Sequence, residues 1–450
     1  MILVNHLSVQ KFNLSEFKQK DEKQSYYLFH KNSSMKYHLI VMFTQRFQEY
    51  LRIRTVHPNP DYSGAVLFLN SIAKSHGFET EIFETAPAKW AILITWLGSE
   101  PALKSILLNS HSDVVPVVET AWSHPPFEAV NDNGRIYARG TQDMKSVTMQ
   151  YLEALGLLKS YGWNPRRTIH MLVVPDEEIG GELGMKAMIA TDRWSQLNVG
   201  FALDEGLASL DDTFKIYYGE RAAWVLRVIG RGPGGHGSQF ISGTAMEKLI
   251  KMINRLFVYR TKQEEVLNHS GCKLGDVCTL NLTYLKGGIT TDYKTYATNV
   301  IPSEVEAGFD VRIPPTINIQ AFRNQINLWA SECGVEINIL REQIANNLTQ
   351  TKGNIWWNTF VRACGDLKMK ISPEVFPAGT DSRFIRQIGI PALGFSPMIH
   401  TPVRLHDHDE FLHEDVFVRG ISIYVKIIRE LGMLPEQQDD AKNKKIKIEE

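Results

Sequence analysis

Ile106-Leu107-Leu108-Asn109-Ser110-His111-Ser112-Asp113 is an apolar run that ends in a histidine and an aspartate two residues apart. Residues two apart on a β-strand project to the same face, so His111 and Asp113 would project together from the carboxyl end of a buried strand. Open α/β sheets bind their ligands at that end of the strands. A neutral imidazole and a carboxylate suit a zinc ion. This spacing is also common by chance, so the hypothesis depends on further partners along the chain.

Short apolar runs alternate with helical patterns on both sides of this stretch. A helix is predicted over residues 144–160, which carry an apolar stripe at helical spacing. Strands are predicted at 91–96, 105–110, 168–174 and 199–203. This alternation predicts an α/β fold, with helices on both faces of a sheet.

The pattern changes near residue 218. From there, strands and helices are predicted in the succession 222–230 (strand), 244–262 (helix), 277–286 and 303–312 (strands) and 318–333 (helix). That succession is typical of a ferredoxin-like α+β unit. Residues 218–342 are therefore predicted to form a smaller domain inserted into a larger one.

The rest of the chain is assigned by composition. Residues 41–217 and 343–434 are predicted to form the larger domain. Residues 1–40 are polar and irregular, and are predicted to be a disordered N-terminal extension. Residues 435–450 form a charged tail.

Composition excludes several classes of protein. The 450 residues are 43% hydrophobic and 22% charged with a formal net charge of −1, so no overall basic field attracts nucleic acid or an anionic membrane. Four cysteines, none in a Cys-x-x-Cys pair, fit a reducing compartment and make a cysteine zinc site unfavourable. The N-terminus has no signal-peptide layout and no apolar run is long enough to span a bilayer. Cytoplasmic location is the prediction.

Further candidate ligands stand at the ends of predicted elements. Asp143 begins the 144–160 helix, where an N-cap is the plainer explanation. Glu177 and Glu178 follow the 168–174 strand as part of three consecutive acids, which would repel one another unless a cation lay among them. Asp204 ends the 199–203 strand, and His406 lies in a charged cluster before the last helix. Solvated surface charge is the alternative for these turns.

Taken together, the candidates supply two imidazoles and four carboxylates: His111, Asp113, Asp143, Glu178, Asp204 and His406. A dinuclear zinc site needs about this set, with one carboxylate shared by both ions. Glu177 is then left over. A carboxylate beside the ligands can take a proton from the attacking water and pass it to a leaving nitrogen.

The motifs resemble the zinc aminoacylase and carboxypeptidase G-like family of metallopeptidases and amidohydrolases. The resemblance covers residues 43–434 and rests on motifs at Tyr50–Val56, Asn109–Pro116, Tyr137–Gly140, Pro175–Gly181, Phe201–Gly206, Pro391–Met398 and His406–His413. It implies a zinc-peptidase-like mixed sheet flanked by helices, with residues 218–342 as a lid and dimerisation domain.

The resemblance also implies the metal ligands. One zinc would be held by His111, Asp143 and Asp204, and a second by Asp143, Glu178 and His406, giving two ions per subunit with Asp143 as the bridge.

The remaining roles implied by the resemblance concern catalysis and substrate binding. Glu177 would be the general base and then the general acid, and Asp113 would orient the metal-binding histidine. His236 would stabilise the oxyanion in the active site of the partner subunit of a homodimer. The predicted substrate-contacting residues are Asn299, Arg312, Gly379 and Thr380.

The function expected from this resemblance is zinc-dependent hydrolysis of N-acyl-L-amino acids, chiefly N-acetylated neutral or aliphatic ones, with no nucleic acid or membrane as partner. A dipeptidase or carboxypeptidase of the same family is the first alternative, and a catalytically inactive binding protein on this fold is the second. A nucleotide-binding α/β enzyme is disfavoured, because no glycine-rich phosphate loop follows a strand at the required spacing.

Overall fold

The computed structural model describes residues 33–437 and 440, apart from 270, 291, 293 and 344–346. The chain divides into two units, residues 1–43 and 44–450. Residues 1–32 of the predicted disordered extension lie outside the described residues, whereas residues 33–40 are helical. The prediction differs there because the apolar run Leu39–Phe43 continues the pattern of the helix that follows. Among the described residues, no helix is both long and apolar enough to cross a membrane.

Ten α-helices lie in the described part of the chain. They are α1 (Ser33–Arg52), α2 (Tyr62–Ser75), α3 (Lys145–Ser160), α4 (Met185–Ile189), α5 (Asp192–Gln196), α6 (Ala245–His269), α7 (Ile319–Cys333), α8 (Ile355–Asp366), α9 (Ser382–Gln387) and α10 (Glu414–Gly432).

Seventeen strands lie in the same described residues. They are β1 (Glu79–Ala86), β2 (Lys89–Trp96), β3 (Ser105–His111), β4 (Val130–Asp132), β5 (Arg135–Tyr137), β6 (Ile169–Val174), β7 (Val199–Asp204), β8 (Thr213–Glu220), β9 (Ala222–Arg231), β10 (Gly235–His236), β11 (Thr279–Lys286), β12 (Val300–Ile301), β13 (Glu304–Ile313), β14 (Val335–Glu342), β15 (Lys370–Phe376), β16 (Ala392–Gly394) and β17 (Phe411–His413).

The larger sheet has eight strands in the order β1-β2-β6-β3-β7-β16-β8-β15. β3 runs parallel to both of its neighbours, β6 and β7, whereas β2 pairs antiparallel with β6. Every residue of β3 and of β6 is buried, as expected for central parallel strands covered on both faces. The predicted mixed sheet flanked by helices is confirmed.

Helices cover this sheet through apolar faces. Leu93, Leu107 and Leu172, from three neighbouring strands, pack in one cluster with side chains of α4, α5 and α9. The next residues along β3, such as Leu108, are also buried and face the opposite way because strand side chains alternate. On the helical side, α3 packs against α10, and all its residues from Lys145 to Leu158 are buried.

A second sheet has the order β11-β13-β9-β14 and is antiparallel throughout. Alternate residues of β9, such as Trp224 and Leu226, pack with Leu249 of α6 and Phe322 of α7 in a core of their own. Asn318 caps α7 by accepting the amide N–H of Ala321, and Gly334 ends that helix in the left-handed conformation. The elements β9, α6, β11, β13 and α7 occur in the predicted order, with the short strands β10 and β12 between them and β14 after α7. The domain boundaries and the lid role stay predictions.

Candidate metal centre and active site

Three neighbouring strands of the larger sheet bring the candidate residues to one edge. β6, β3 and β7 lie side by side and parallel, so their carboxyl ends meet. His111 is the last residue of β3, the turn with Glu177 and Glu178 follows β6, and Asp204 is the last residue of β7. The sequence therefore places these side chains at the edge where open α/β sheets bind ligands.

Four of the predicted ligands converge there. His111 Nε2 lies 3.1 Å from Asp143 Oδ1. His406 Nε2 lies 3.4 Å from Asp143 Oδ2 and 3.0 Å from Glu178 Oε2. One ligand atom from each of His111, Asp143 and Glu178 lies within 4.8 Å of the other two. Asp143 thus stands between the two histidines, which is the position that a bridging ligand would need.

The turn that carries Asp143 is shaped by a buried carboxylate from the far end of the chain. Glu410 accepts hydrogen bonds from the amides of Gly140 and Gln142 at 3.1 and 2.7 Å, and from Arg139 Nη1 at 2.7 Å. Asp143 does not cap the helix that follows it. The N-cap position of α3 is Met144, whose side chain makes no capping hydrogen bond. The Asp143 carboxylate is therefore directed at the histidines.

Asp204 is not brought to His111. Its Oδ2 accepts from the amide and the hydroxyl of Ser382, both at 2.8 Å, and its Oδ1 accepts from Asn109 Nδ2 at 3.0 Å. The next residue, Glu205, takes the predicted place, with Oε2 3.7 Å from His111 Nε2. Because side chains reverse direction at each step along a strand, the last residue of β7 and the residue after it face different neighbours.

Asp113 contacts other groups besides the histidine that it is predicted to orient. Its Oδ1 lies 3.5 Å from His111 Nδ1, and that nitrogen is closer, at 3.0 Å, to the Asp113 backbone carbonyl. The carboxylate also accepts the amide N–H groups of Glu177 and Glu178 and contacts His57 Nε2 at 2.9 Å. Burial raises the pKa of Asp113, but the hydrogen bonds with His111 and His57 outweigh burial and lower this pKa to about 2. Asp113 therefore anchors the Glu177–Glu178 turn as an ionised acceptor.

Glu177 lies beside the ligands and is buried. Its Oε1 is 3.4 Å from Arg383 Nη1, and one of its oxygens falls within 4.8 Å of ligand atoms of His111 and Glu205. Burial, opposed by Arg383, raises the pKa of Glu177 to about 7. A carboxyl group with a pKa near neutrality can both accept and donate a proton at physiological pH.

The charge balance of the cluster fits divalent cations. Burial raises the pKa of Glu178 to about 8, and hydrogen bonds to Asp143 and Glu178 raise that of His406 to about 10. Protonated groups thus neutralise the acids in the metal-free protein. Glu178 Oε1 is buried and has no hydrogen-bond partner among the described residues. A set of imidazole and carboxylate donors with an unpartnered buried oxygen fits zinc-type coordination.

His236, Asn299 and Arg312 lie outside this ligand cluster. His236 is exposed on the short strand β10, pairs with Val300 of β12, and contacts Ser238 Oγ at 2.8 Å. Asn299 is close to it, since its carbonyl accepts the amide N–H of Gly237 at 2.7 Å. Arg312, on β13, donates to both carboxylate oxygens of Asp310 at 2.8 and 3.0 Å. The structure thus brings His236 and Asn299 together, outside the ligand cluster of His111.

Gly379 and Thr380 connect to the cluster through Arg383. The Thr380 carbonyl accepts from Arg383 Nη1 at 2.8 Å, the nitrogen that also faces Glu177. The Thr380 amide donates to the buried carboxylate of Glu220, which is itself paired with Arg386. This loop is therefore fixed to α9 at the border of the site.

Comparison with known proteins identifies the family. Residues 107–430 match the profile of peptidase family M20/M25/M40. The chain belongs to this family. Aminoacylase-1A of Rattus norvegicus is 47% identical to it over 394 residues, which cover 86% of this chain and 95% of that protein.

Solved structures of M20-family proteins have the same fold. A metallo-carboxypeptidase from Sulfolobus solfataricus matches with a TM-score of 0.68 at 16% identity, covering 87% of this chain and 99% of that one. A dinuclear metal-binding peptidase from Bacillus subtilis matches with a TM-score of 0.61 at 14% identity, covering 86% and 98%. The predicted resemblance to this peptidase family, and to aminoacylase within it, is confirmed.

Three residues that the structure places in or beside the candidate site were not predicted. Glu205 directly follows the predicted Asp204, and it is Glu205 rather than Asp204 that faces His111. Glu410 lies in the same charged cluster as His406, and the sequence does not indicate that its carboxylate is buried. Arg383 gives no local signal, because only the fold brings it to Glu177.

Proposed function

We propose that this chain is a metal-dependent amidohydrolase that cleaves N-acyl-L-amino acids into a carboxylate and a free L-amino acid. The observation that carries the proposal is a buried carboxylate, Glu177, beside converging histidine and carboxylate donors. The high identity to an aminoacylase over most of the chain supports this substrate class. The convergence of these donors beside the buried Glu177 gives no support to an inactive binding protein.

We further propose two zinc ions per subunit, with one change from the predicted ligands. His111, Asp143 and Glu205 would hold one ion, and Asp143, Glu178 and His406 the other. Glu205 replaces Asp204 because it faces His111, whereas Asp204 is occupied by Ser382. Bound there, divalent cations lower the pKa of water and polarise the amide carbonyl.

Glu177 is proposed to move the proton. It accepts a proton from the attacking water and donates it to the amide nitrogen as the C–N bond breaks, so that the amine leaves neutral. Its raised pKa, about 7, suits both halves of this transfer. Asp113 holds the turn that carries Glu177 through two backbone hydrogen bonds, at 3.2 and 3.1 Å.

Substrate binding is proposed to involve both subunits of a homodimer. Arg312 and Asn299 would bind the carboxylate of the amino acid, Gly379 and Thr380 would line the pocket, and His236 would stabilise the oxyanion of the partner's site. His236 is exposed and lies outside the ligand cluster of its own chain, which fits action on a partner. Cytoplasmic location stays a prediction.

The test is hydrolysis of N-acetylmethionine by purified protein, with Glu177→Gln as the variant. We expect removal of this proton carrier to lower kcat by about 10²- to 10⁴-fold while metal content is unchanged. Glu182→Gln is the matched control, since Glu182 lies in the same segment but is exposed and pairs with Lys186. Retained activity in Glu177→Gln contradicts the mechanism, and faster hydrolysis of a free dipeptide than of N-acetylmethionine favours the dipeptidase alternative.

A further inference from the structure

Arg383 is a buried cation that the mechanism above leaves unassigned. It lies on α9 with 5% of its surface exposed. Nη1 faces Glu177 Oε1 at 3.4 Å and donates to the Thr380 carbonyl at 2.8 Å, and Nη2 donates to the Gly180 carbonyl at 2.8 Å. One guanidinium therefore contacts the Glu177 side chain, the end of its turn, and the Gly379–Thr380 loop.

Two glycines let the backbone come this close to the guanidinium. A Cβ on Gly379 would lie 3.1 Å from Arg383 Nη1. A Cβ on Gly181 would lie 3.4 Å from Arg383 Nη2 and 2.7 Å from Asp381 Oδ1, and Gly181 also has a φ of +66°. Side chains at either position would press on Arg383 or its neighbours. Glycine at positions 181 and 379 therefore allows both loops to pack closely against Arg383 and its neighbours.

The Glu177 carboxylate has few other restraints. Among the described residues, its one hydrogen bond is the contact with Arg383. The backbone of Glu177 is held by Asp113, but this leaves the side-chain torsions free. A planar guanidinium with several fixed donors can hold a carboxylate and two carbonyls at once, which the single point charge of lysine cannot do.

We infer that Arg383 is a positioning residue for Glu177, which it orients toward the reacting atoms while tying the Glu177 turn to the Gly379–Thr380 loop. This inference rests on the proposed function. Arg383 does not bind substrate, because it is almost wholly buried and both terminal nitrogens are engaged by the protein.

A double-mutant cycle tests the inference. Arg383→Lys keeps the charge and removes the fork, and we expect kcat per metal-loaded enzyme to fall by about 10²-fold with KM little changed, since small misplacement of a reacting group has that effect. In the Glu177→Gln background the same substitution should lower kcat no further, because its target is gone. Arg167→Lys is the matched control: Arg167 is buried and holds the Leu434 and Pro435 carbonyls, and kcat should be unchanged.

Several outcomes overturn the inference. These are additive losses in the cycle, a rise in KM with kcat intact, or an equal fall in kcat for Arg167→Lys. If Arg383→Lys fails to fold, Gly379→Ala takes its place in the cycle, because the added Cβ would lie 3.1 Å from Nη1 and shift the guanidinium without removing it. Since Gly379 is also proposed to line the substrate pocket, only the non-additivity of kcat with Glu177→Gln counts for this variant. Wild-type protein that binds metal and hydrolyses no N-acyl amino acid overturns the proposed function and this inference with it, whereas an active wild type with additive losses overturns the inference alone.

Discussion

Asp204→Asn and Glu205→Gln should have opposite effects on metal binding and stability, although the two residues are adjacent at the end of β7. Both carboxylate oxygens of Asp204 accept hydrogen bonds from Ser382 and Asn109, so we expect Asp204 to stabilise the fold and not to bind metal. Glu205 faces His111 across 3.7 Å and belongs to the group of convergent ligand atoms.

The expected cost of Asp204→Asn follows from its three hydrogen bonds. An amide placed with its oxygen toward Ser382 keeps two of them and turns its N–H₂ group toward Asn109. Asn109 Oδ1 has no partner among the described residues, so this amide can rotate to accept the new donor. The three hydrogen bonds are then kept but lose the charge on their acceptor, which costs about 1–3 kcal/mol of unfolding free energy in total. Metal content should stay at two ions per chain.

Glu205→Gln should do the reverse. Burial, and then the nearby carboxylate of Asp143, raise the pKa of Glu205 well above its ordinary value, so its charge destabilises the metal-free fold. A neutral amide removes that charge and is a poor zinc ligand. We expect metal content after dialysis to fall from two ions to one, and the metal-free variant to unfold at higher urea concentration than metal-free wild type. If Asp204→Asn loses an ion and Glu205→Gln keeps both, the assignment of Glu205 is wrong.

Three further outcomes are expected. Burial lowers the pKa of His170 to about 4, so this one side chain contributes a loss of about 1.4 kcal/mol of stability per pH unit as pH falls below the ordinary histidine value. The difference in unfolding free energy between wild type and His170→Gln, measured by urea titration at neutral and acid pH, should change by that amount. The pKa values of Glu177 and Glu178 are raised to about 7 and about 8, so the metal-free folded protein binds more protons than the unfolded chain between these values and about pH 4.5. The Tm of the metal-free protein should therefore fall as pH rises from about 4.5 through about 8. The Tm of the metal-loaded protein should not show this fall. Glu410→Ala leaves the buried charge of Arg139 uncompensated and should cost about 3–5 kcal/mol in chemical unfolding, unlike the exposed-site variant Glu182→Gln.

The sequence predicted the centre of the larger sheet better than its edges. The strands β3 and β6 are continuous apolar runs because both of their faces are covered, and this pattern is visible in one dimension. β1 and β15 were not predicted. They lie at the two ends of the sheet, where β1 carries charged residues and β15 contains Pro373. Such strands form because a neighbouring strand pairs with them. This pairing cannot be predicted from the composition of the edge strand itself.

The candidate site was predicted where its residues stand at the ends of predicted strands or before predicted helices. His111, Asp143, Glu178 and His406 converge as expected. The choice between Asp204 and Glu205 depends on the residue at which β7 ends, since one step along a strand reverses the side chain. No spacing rule predicts that end to a single residue.

Residues that support the site from elsewhere in the fold were beyond the sequence. Arg383 is 206 positions from the Glu177 that it contacts, and Glu410 is 268 positions from the Gln142 amide that it accepts. Contacts of this kind produce no periodic pattern in the sequence, because the two partner residues lie far apart along the chain.

The link between Glu410 and the Asp143 turn sets the order of events during synthesis. Asp143 and Glu178 leave the ribosome early, but the carboxylate that shapes the Asp143 turn and the histidine that faces both acids are made only after the whole second sheet and α9. Until β17 has emerged and paired with β5, the nascent chain carries an unshaped acidic turn. We therefore expect metal capture to follow translation, and a chain that stops after α9 to bind metal weakly even if its first strands have folded.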